Sequence, residues 1–197
     1  KEKKQQLLLA KLQATKTEAK KKEAKVDPKI LLLDAVQSLG AISPTLVQIS
    51  EKIKENHDIL ENQANSGWEK FLKLLRKAFN LSEPEVEYQV YITDPVNKTE
   101  RRQNIKYIVF LKNIIQMARY FSSVSMKNSP AFKRIENESP EKLIDFLNKN
   151  LASCHKLLGE LAALDDFFKG AVRGDASSKI KGLKMDLTTL KNQIVKT

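Results

Sequence analysis

The stretch SPEKLIDFLNKNLASCHKLLGELAALDDFFKG, Ser139 to Gly170, carries a helical signal long enough to decide the architecture around it. Leu143, Leu147, Asn150, Cys154, Leu157, Leu161, Leu164 and Phe168 recur at intervals alternating four and three. That spacing keeps side chains on one face of a helix. Ser139 ahead of Pro140, with Glu141 next, is a helix start, because the hydroxyl can accept from open amides and proline already holds a helical φ. Thirty residues of helix span about 45 Å, so this segment should be a pillar of the fold. Gly170 and Gly174 supply its end.

The same periodicity recurs on either side. Leu46, Ile49, Ile53, Asn56, Leu60 and Gln63 form a second seam behind a Ser43-Pro44 start. Ile180, Leu183, Leu187, Leu190 and Ile194 form a third near the end of the chain. Asp27 before Pro28 opens an earlier short helix through KILLLDAVQSL that should stop at Gly40. From Tyr107, the residues Phe110, Leu111, Ile114, Ile115, Ala118 and Phe121 make a wide apolar stripe, and Ser125 to Asn137 reads as loop. Three sustained heptad segments imply an elongated antiparallel helical bundle with coiled-coil-like seams. The polar seam positions Asn56, Gln63 and Asn150 either fix register and oligomeric state or sit at a wet edge.

One stretch departs from helix. VEYQVYITDPVNKTERRQNI, Val86 to Ile105, alternates apolar and polar residues up to an Asp-Pro turn. Val86, Tyr88, Val90 and Ile92 would share one face of a strand and must lie on helices, since a lone hairpin is marginal. Thr99 to Ile105 can return antiparallel with almost no apolar face, as an edge strand. The predicted fold is therefore all-α with one inserted β-hairpin at about 86–105.

Charge divides along the chain. Residues 1–29 hold ten Lys against four acids, and residues 169–197 hold seven Lys or Arg against two Asp, while the body between is neutral. All of the formal +11 sits in the two ends. Neighbouring basic ends would make one surface for phosphate backbones, anionic lipid or an acidic protein, and separate ones would be solvated helices. The expected organisation is a basic projecting helix at 1–26, docking through Leu7, Leu8 and Leu12 and carrying Lys20, Lys21 and Lys22. A helical bundle with the hairpin follows at 27–174, and a basic C-terminal helix at 175–197 packs on it. The start at Lys1 and the unfinished pattern at Thr197 read as a piece of a longer protein. The single Cys154 fits a reducing compartment, and no apolar run approaches bilayer-spanning length, so a cytoplasmic location is expected.

Chemistry is sparse. No GxGxxG, GxxxxGK[ST], GxSxG or HExxH occurs. His57 and His155 fall on different helices. Cys154 and His155, adjacent on one helix, point about 100° apart, so a packed thiol beside a surface imidazole is expected rather than a metal site. Asp165, Asp166 and Glu160 read as the acidic face of the long helix, and Arg173-Gly174-Asp175 as a terminating turn. The chain is read as non-enzymatic, with no metal, cofactor or small-molecule substrate.

Two features carry interaction potential. In GWEKFLKLLRKAFN, Trp68, Phe71, Leu72, Leu75 and Phe79 make an apolar stripe, with Lys70, Lys73, Arg76 and Lys77 on the other side. That composition suits an anionic membrane or a partner groove; inside a bundle it is a core-facing helix with a solvated basic face, the favoured reading. The hairpin edge, with Arg101 and Arg102, can pair with another strand or present charge to an acidic partner, or simply cap the helices.

The segments ITDPVNKTERRQNI and KIKGLKMDLTTLKNQIVKT resemble a group of uncharacterised spirochaete proteins. In that group a strand, a DP-type turn and a polar return precede a helix, and a basic helix with an LTTLKN-like core lies near the C-terminus. The resemblance implies a bacterial cytoplasmic protein and supplies no catalytic residues. The functional expectation is a protein–protein interaction or scaffold module of a larger bacterial protein, with self-association through the seams open. The alternative is binding of nucleic acid or an anionic membrane surface through the two basic ends.

Overall fold

Asp27 sets the first helix, its carboxylate accepting from the Lys29 amide at 2.9 Å while Pro28 fills the first turn. The computed structural model describes residues 27–64, 67–82, 85–94, 97–171, 180 and 182–197. The helix expected over 1–26, with Leu7, Leu8, Leu12, Lys20, Lys21 and Lys22, lies outside these residues, as does the Arg173-Gly174-Asp175 turn.

Helix α1 (Pro28–Ser38) runs through a 3₁₀ turn (Leu39–Ala41) directly into α2 (Ile42–Ala64). The expected stop at Gly40 and fresh start at Ser43 are corrected. A Cβ on Gly40 would lie 2.4 Å from Ser125 Oγ, so the glycine permits close helix approach rather than a break. Ser43 lies inside α2, and its hydroxyl donates to the Ala118 carbonyl at 2.8 Å instead of capping. The continuous run from Pro28 to Gln63 is, by length and composition, long and apolar enough to cross a bilayer, which amends the expectation above. Its Val36, Leu39, Ile42, Leu46, Ile49 and Ile53 are fully buried in the core.

Beyond α3 (Gly67–Ala78), strands β1 (Glu87–Thr93) and β2 (Glu100–Lys106) pair antiparallel as a two-stranded sheet. The Tyr88–Ile105, Val90–Gln103 and Ile92–Arg101 pairs share one face, on which Tyr88, Val90 and Ile105 are buried. The Tyr88 ring lies 5.0 Å from that of Phe167 and 5.3 Å from that of Phe168, so the hairpin is anchored on the long helix by aromatic packing. Val86 accepts from the Tyr107 amide at 2.9 Å where α4 (Tyr107–Ser125) begins.

The loop expected at Ser125 to Asn137 contains a helix, α5 (Pro130–Glu136). Ser129 caps it, accepting from the Phe132 amide at 2.9 Å, and buried Phe132 fixes it to the core. This third Ser-Pro start was legible in the chain but too short to show a period. The long helix is α6 (Pro140–Ala171), 32 residues, which passes through Gly170. Every seam position on it is buried except Asn150, which is half-buried and bonds back to the Phe146 carbonyl. On α2, Asn56 is fully buried and Gln63 exposed, so only the latter lies at a wet edge.

The last helix, α7 (Lys184–Lys196), starts later than its seam, leaving Ile180 and Leu183 in the approach. Leu183, Leu190 and Ile194 are buried where α7 packs on α2 and α6, and Lys52 pairs with Asp186 to hold α7 to α2. The described structure is thus mostly helical with one small antiparallel sheet.

Candidate docking surfaces

Three elements enclose a groove of about 1110 Å³: the hairpin tip, the middle of α6 and the outer side of α7. Its floor is apolar, from Ile92, Leu158 and Leu187. The carboxylates around it are mostly engaged within the fold. Asp165 is 4% exposed; one oxygen accepts from the Leu183 amide at 2.7 Å and the other pairs with Lys169. Leu183 stands at the open N-terminus of α7 and has no side-chain cap of its own, so a carboxylate from α6 performs that task across the interface. Glu160 accepts from Gln103 at 2.9 Å, and Asp94 accepts from the Asn97 amide at 3.0 Å to close the hairpin turn. The continuous acidic face expected from Glu160, Asp165 and Asp166 is therefore corrected. Asp165 points inward as a clamp, and Asp166 alone of the three is exposed.

The groove's cations are differently placed. Arg101, Lys156, Lys184 and Lys191 come from β2, α6 and α7, and none has an ion-pair partner among the described residues. Arg101 donates to Gln103 at 3.4 Å. Arg102 is not its companion: register puts Arg102 opposite Tyr91 on the outer face, whereas Arg101 sits opposite Ile92 on the groove side. The two arginines expected to act as one edge face opposite ways, because neighbouring strand residues alternate.

The second surface is α3. The core-facing expectation for it is overturned. Trp68 is 66% exposed and Phe79 70%; Phe71, Leu74, Leu75 and Leu81 are also exposed, and no residue of α3 is buried. The element is nonetheless well terminated. Asn80 adopts φ 52°, the Leu81 amide bonds to Arg76 O at 2.9 Å and the Asn80 amide to Lys77 O at 3.3 Å, which is a Schellman ending. Lys73 pairs with Glu61 at the end of α2. Lys70, Arg76 and Lys77 are exposed.

A cluster missed in sequence lies beside it. His57, 5% exposed, stacks on Tyr107 with ring centres 3.8 Å apart, hydrogen-bonds the Tyr88 hydroxyl through Nδ1, and lies 3.6 Å from Glu61 through Nε2. Burial is the main reason that the Tyr88 hydroxyl is pushed well above its usual range and that of Tyr107 to about 12, with Asp58 and Glu61 adding to both. Both tyrosines stay protonated, so Tyr88 can donate to His57. Cys154 is buried and its thiol raised to about 11 by desolvation, while the neighbouring His155 is exposed at the groove. Among the described residues no three His, Cys, Asp or Glu side chains are grouped to hold a metal ion.

Comparison with known sequences places this geometry in a lineage. Residues 29–197 match the protein family TP_0584_C, described as a C-terminal domain. The chain belongs to that family. It is similar to an uncharacterised protein of Treponema pallidum (strain Nichols), with 26% identity over 170 residues covering 86% of this chain. The chain spans 36% of that relative's length. The resemblance to an uncharacterised spirochaete family thus extends from two short motifs to residues 29–197. No solved structure matches it.

Proposed function

We propose that this family domain is a non-enzymatic interaction module of a larger bacterial protein, and that the groove between hairpin, α6 and α7 receives an acidic amphipathic helix from a protein partner. The observation that carries the reading is the asymmetry of charge in the groove. Of its carboxylates Asp165, Glu160 and Asp94 are engaged inside the fold and Asp166 is exposed, while Arg101, Lys156, Lys184 and Lys191 have no ion-pair partner among the described residues and surround an apolar floor, four cations against one outward carboxylate. Such a floor and rim complement a helix with Leu-like residues on one side and carboxylates beside them. The walls agree in length: α6 lines it from His155 to Lys169 and α7 from Lys184 to Val195, which is about 21 Å and about 16 Å of helix, room for three to four turns. The buried seams of α2, α6 and α7 fit an antiparallel bundle with coiled-coil-like packing, a rigid support for such a groove.

A labelled fourteen-residue amphipathic peptide bearing four glutamates tests this by fluorescence anisotropy, with a lysine-bearing peptide and duplex DNA as the other arms. Selective binding of the acidic peptide is expected, weakened at least tenfold by Lys184→Glu with Lys191→Glu. Gly159→Leu should abolish it, because a Cβ there meets only Ile92, at 3.9 Å, and a longer side chain enters the groove without disturbing the core. Equal binding of both peptides, or of DNA alone, would remove the proposal.

A further inference from the structure

We infer that α3 is an in-plane anchor for an anionic lipid surface. With residues set about 100° apart, Leu74, Phe71, Leu75, Trp68, Phe79 and Leu72 fill one continuous arc of about 160°. Lys70 and Arg76 fall at its two borders, and Glu69, Lys73 and Lys77 lie between them on the polar side. The helix therefore carries four cations against one carboxylate, two of them where lipid headgroups would meet a half-submerged helix.

The attachment of α3 to the body fixes which side is offered. Lys73 lies on the polar arc and its pair is Glu61 of α2, so the helix is held from its polar side and the apolar arc turns away from the protein. A surface helix with a wide apolar arc normally buries it; here Trp68, Phe71, Leu74, Leu75 and Phe79 of that arc stay exposed, with Leu72 half-buried, on a capped helix. The ring set suits the headgroup level, since Trp68 has an amphipathic indole and lies 5.6 Å from Phe71 between ring centres. Long lysine and arginine side chains at the arc's borders can place their charges among phosphates while their stems cover acyl chains. A protein groove would need only the apolar arc. The bordering cations favour a surface that is both apolar beneath and anionic above, which is an acidic bilayer.

Trp68 is the protein's single tryptophan, so its emission reports on α3 alone. The full chain is titrated with phosphatidylcholine vesicles and with vesicles of seven parts phosphatidylcholine to three of phosphatidylglycerol, at low and high salt. Expected are a blue shift and loss of aqueous quenching with the anionic vesicles only, reversed by salt. Lys70→Glu with Arg76→Glu should weaken partition by at least roughly thirtyfold, from about 1 kcal/mol per cation removed. Phe71→Asp with Leu75→Asp should abolish it, and both pairs leave the thermal unfolding midpoint near that of the parent because these side chains are exposed. Equal shifts with neutral vesicles, sedimentation with vesicles without any change at Trp68, or no binding to either would overturn the inference. So would a blue shift that tracks protein concentration and a doubling of mass without lipid, which would assign the face to a second copy.

Discussion

Replacing Asp165 probes how α7 is held in place, and with it one wall of the groove. The carboxylate accepts from the Leu183 amide at 2.7 Å beside a fully buried Leu183 side chain, so Asp165→Ala leaves a buried N–H without its acceptor. An orphaned buried donor costs about 1–3 kcal/mol. The pair with Lys169 adds at most about 1 kcal/mol, because the Lys169 side chain is 47% exposed and water screens it. A loss near 3 kcal/mol should lower the melting midpoint by about 6–12 °C in a chain of this size. Asp165→Asn keeps an oxygen toward Leu183 and loses only the ion pair, so it should cost about 1 kcal/mol. Urea denaturation of the three proteins, with hydrogen exchange across α7, reads both quantities. The expected order is parent, then Asn, then Ala, with faster exchange at Leu183 in the Ala variant. Equal destabilisation by Asn and Ala, or a cost for Ala below about 0.5 kcal/mol, would refute the assignment of Asp165 as the cap of α7.

Other outcomes follow from the packing. Gly40→Ala drives a methyl to 2.4 Å from Ser125 Oγ and 2.6 Å from its Cβ, so it should cost about 1–3 kcal/mol, with part recovered by Ser125→Gly in a double-mutant cycle. Ser129→Ala removes the cap of α5 and should cost about 1 kcal/mol by denaturant titration. Burial raises Cys154 from 9.0 to about 11 and Tyr107 from 10.0 to about 12, so the native state keeps these protons where the unfolded chain releases them. Their contribution to stability should be level below about pH 9 and fall as pH rises through 9–12, and Tyr107→Phe should flatten the upper part of that decline. At pH 8 the native Cys154 thiol should resist a thiol reagent and react at once in denaturant, since a buried thiol held protonated is a poor nucleophile.

With both proposed surfaces in use, the domain holds a lipid surface through α3 and a partner helix through the groove. The chemistry differs between them: α3 offers an apolar arc bordered by cations, whereas the groove offers cations around a recessed apolar floor. Arg102, on the outer hairpin face beside Tyr91, belongs to neither.

Much of the fold was legible because its signals are local. Seam spacing located the inward faces of α2, α6 and α7, and strict alternation located the buried side of β1, since helix and strand periods are set by backbone geometry. Ser129-Pro130 gave a start signal too, but seven residues cannot display a helical period, and α5 was read as loop. What tertiary structure alone decided is which faces are covered. Periodicity shows that Trp68, Phe71, Leu75 and Phe79 line up; it cannot supply the neighbour that would bury them, and here none of the described elements does so. Asp165 and Asp166 are equally polar in sequence, yet the α7 terminus falls beside one and not the other, so one is buried and bonded and its neighbour is exposed. Gly40 and Ser43 look like punctuation in the chain, and only the approach of α4 turns them into contacts. The sequence determined the elements and their apolar faces through local stereochemistry, whereas exposure, pairing and capping across elements depend on distant residues and were settled by packing.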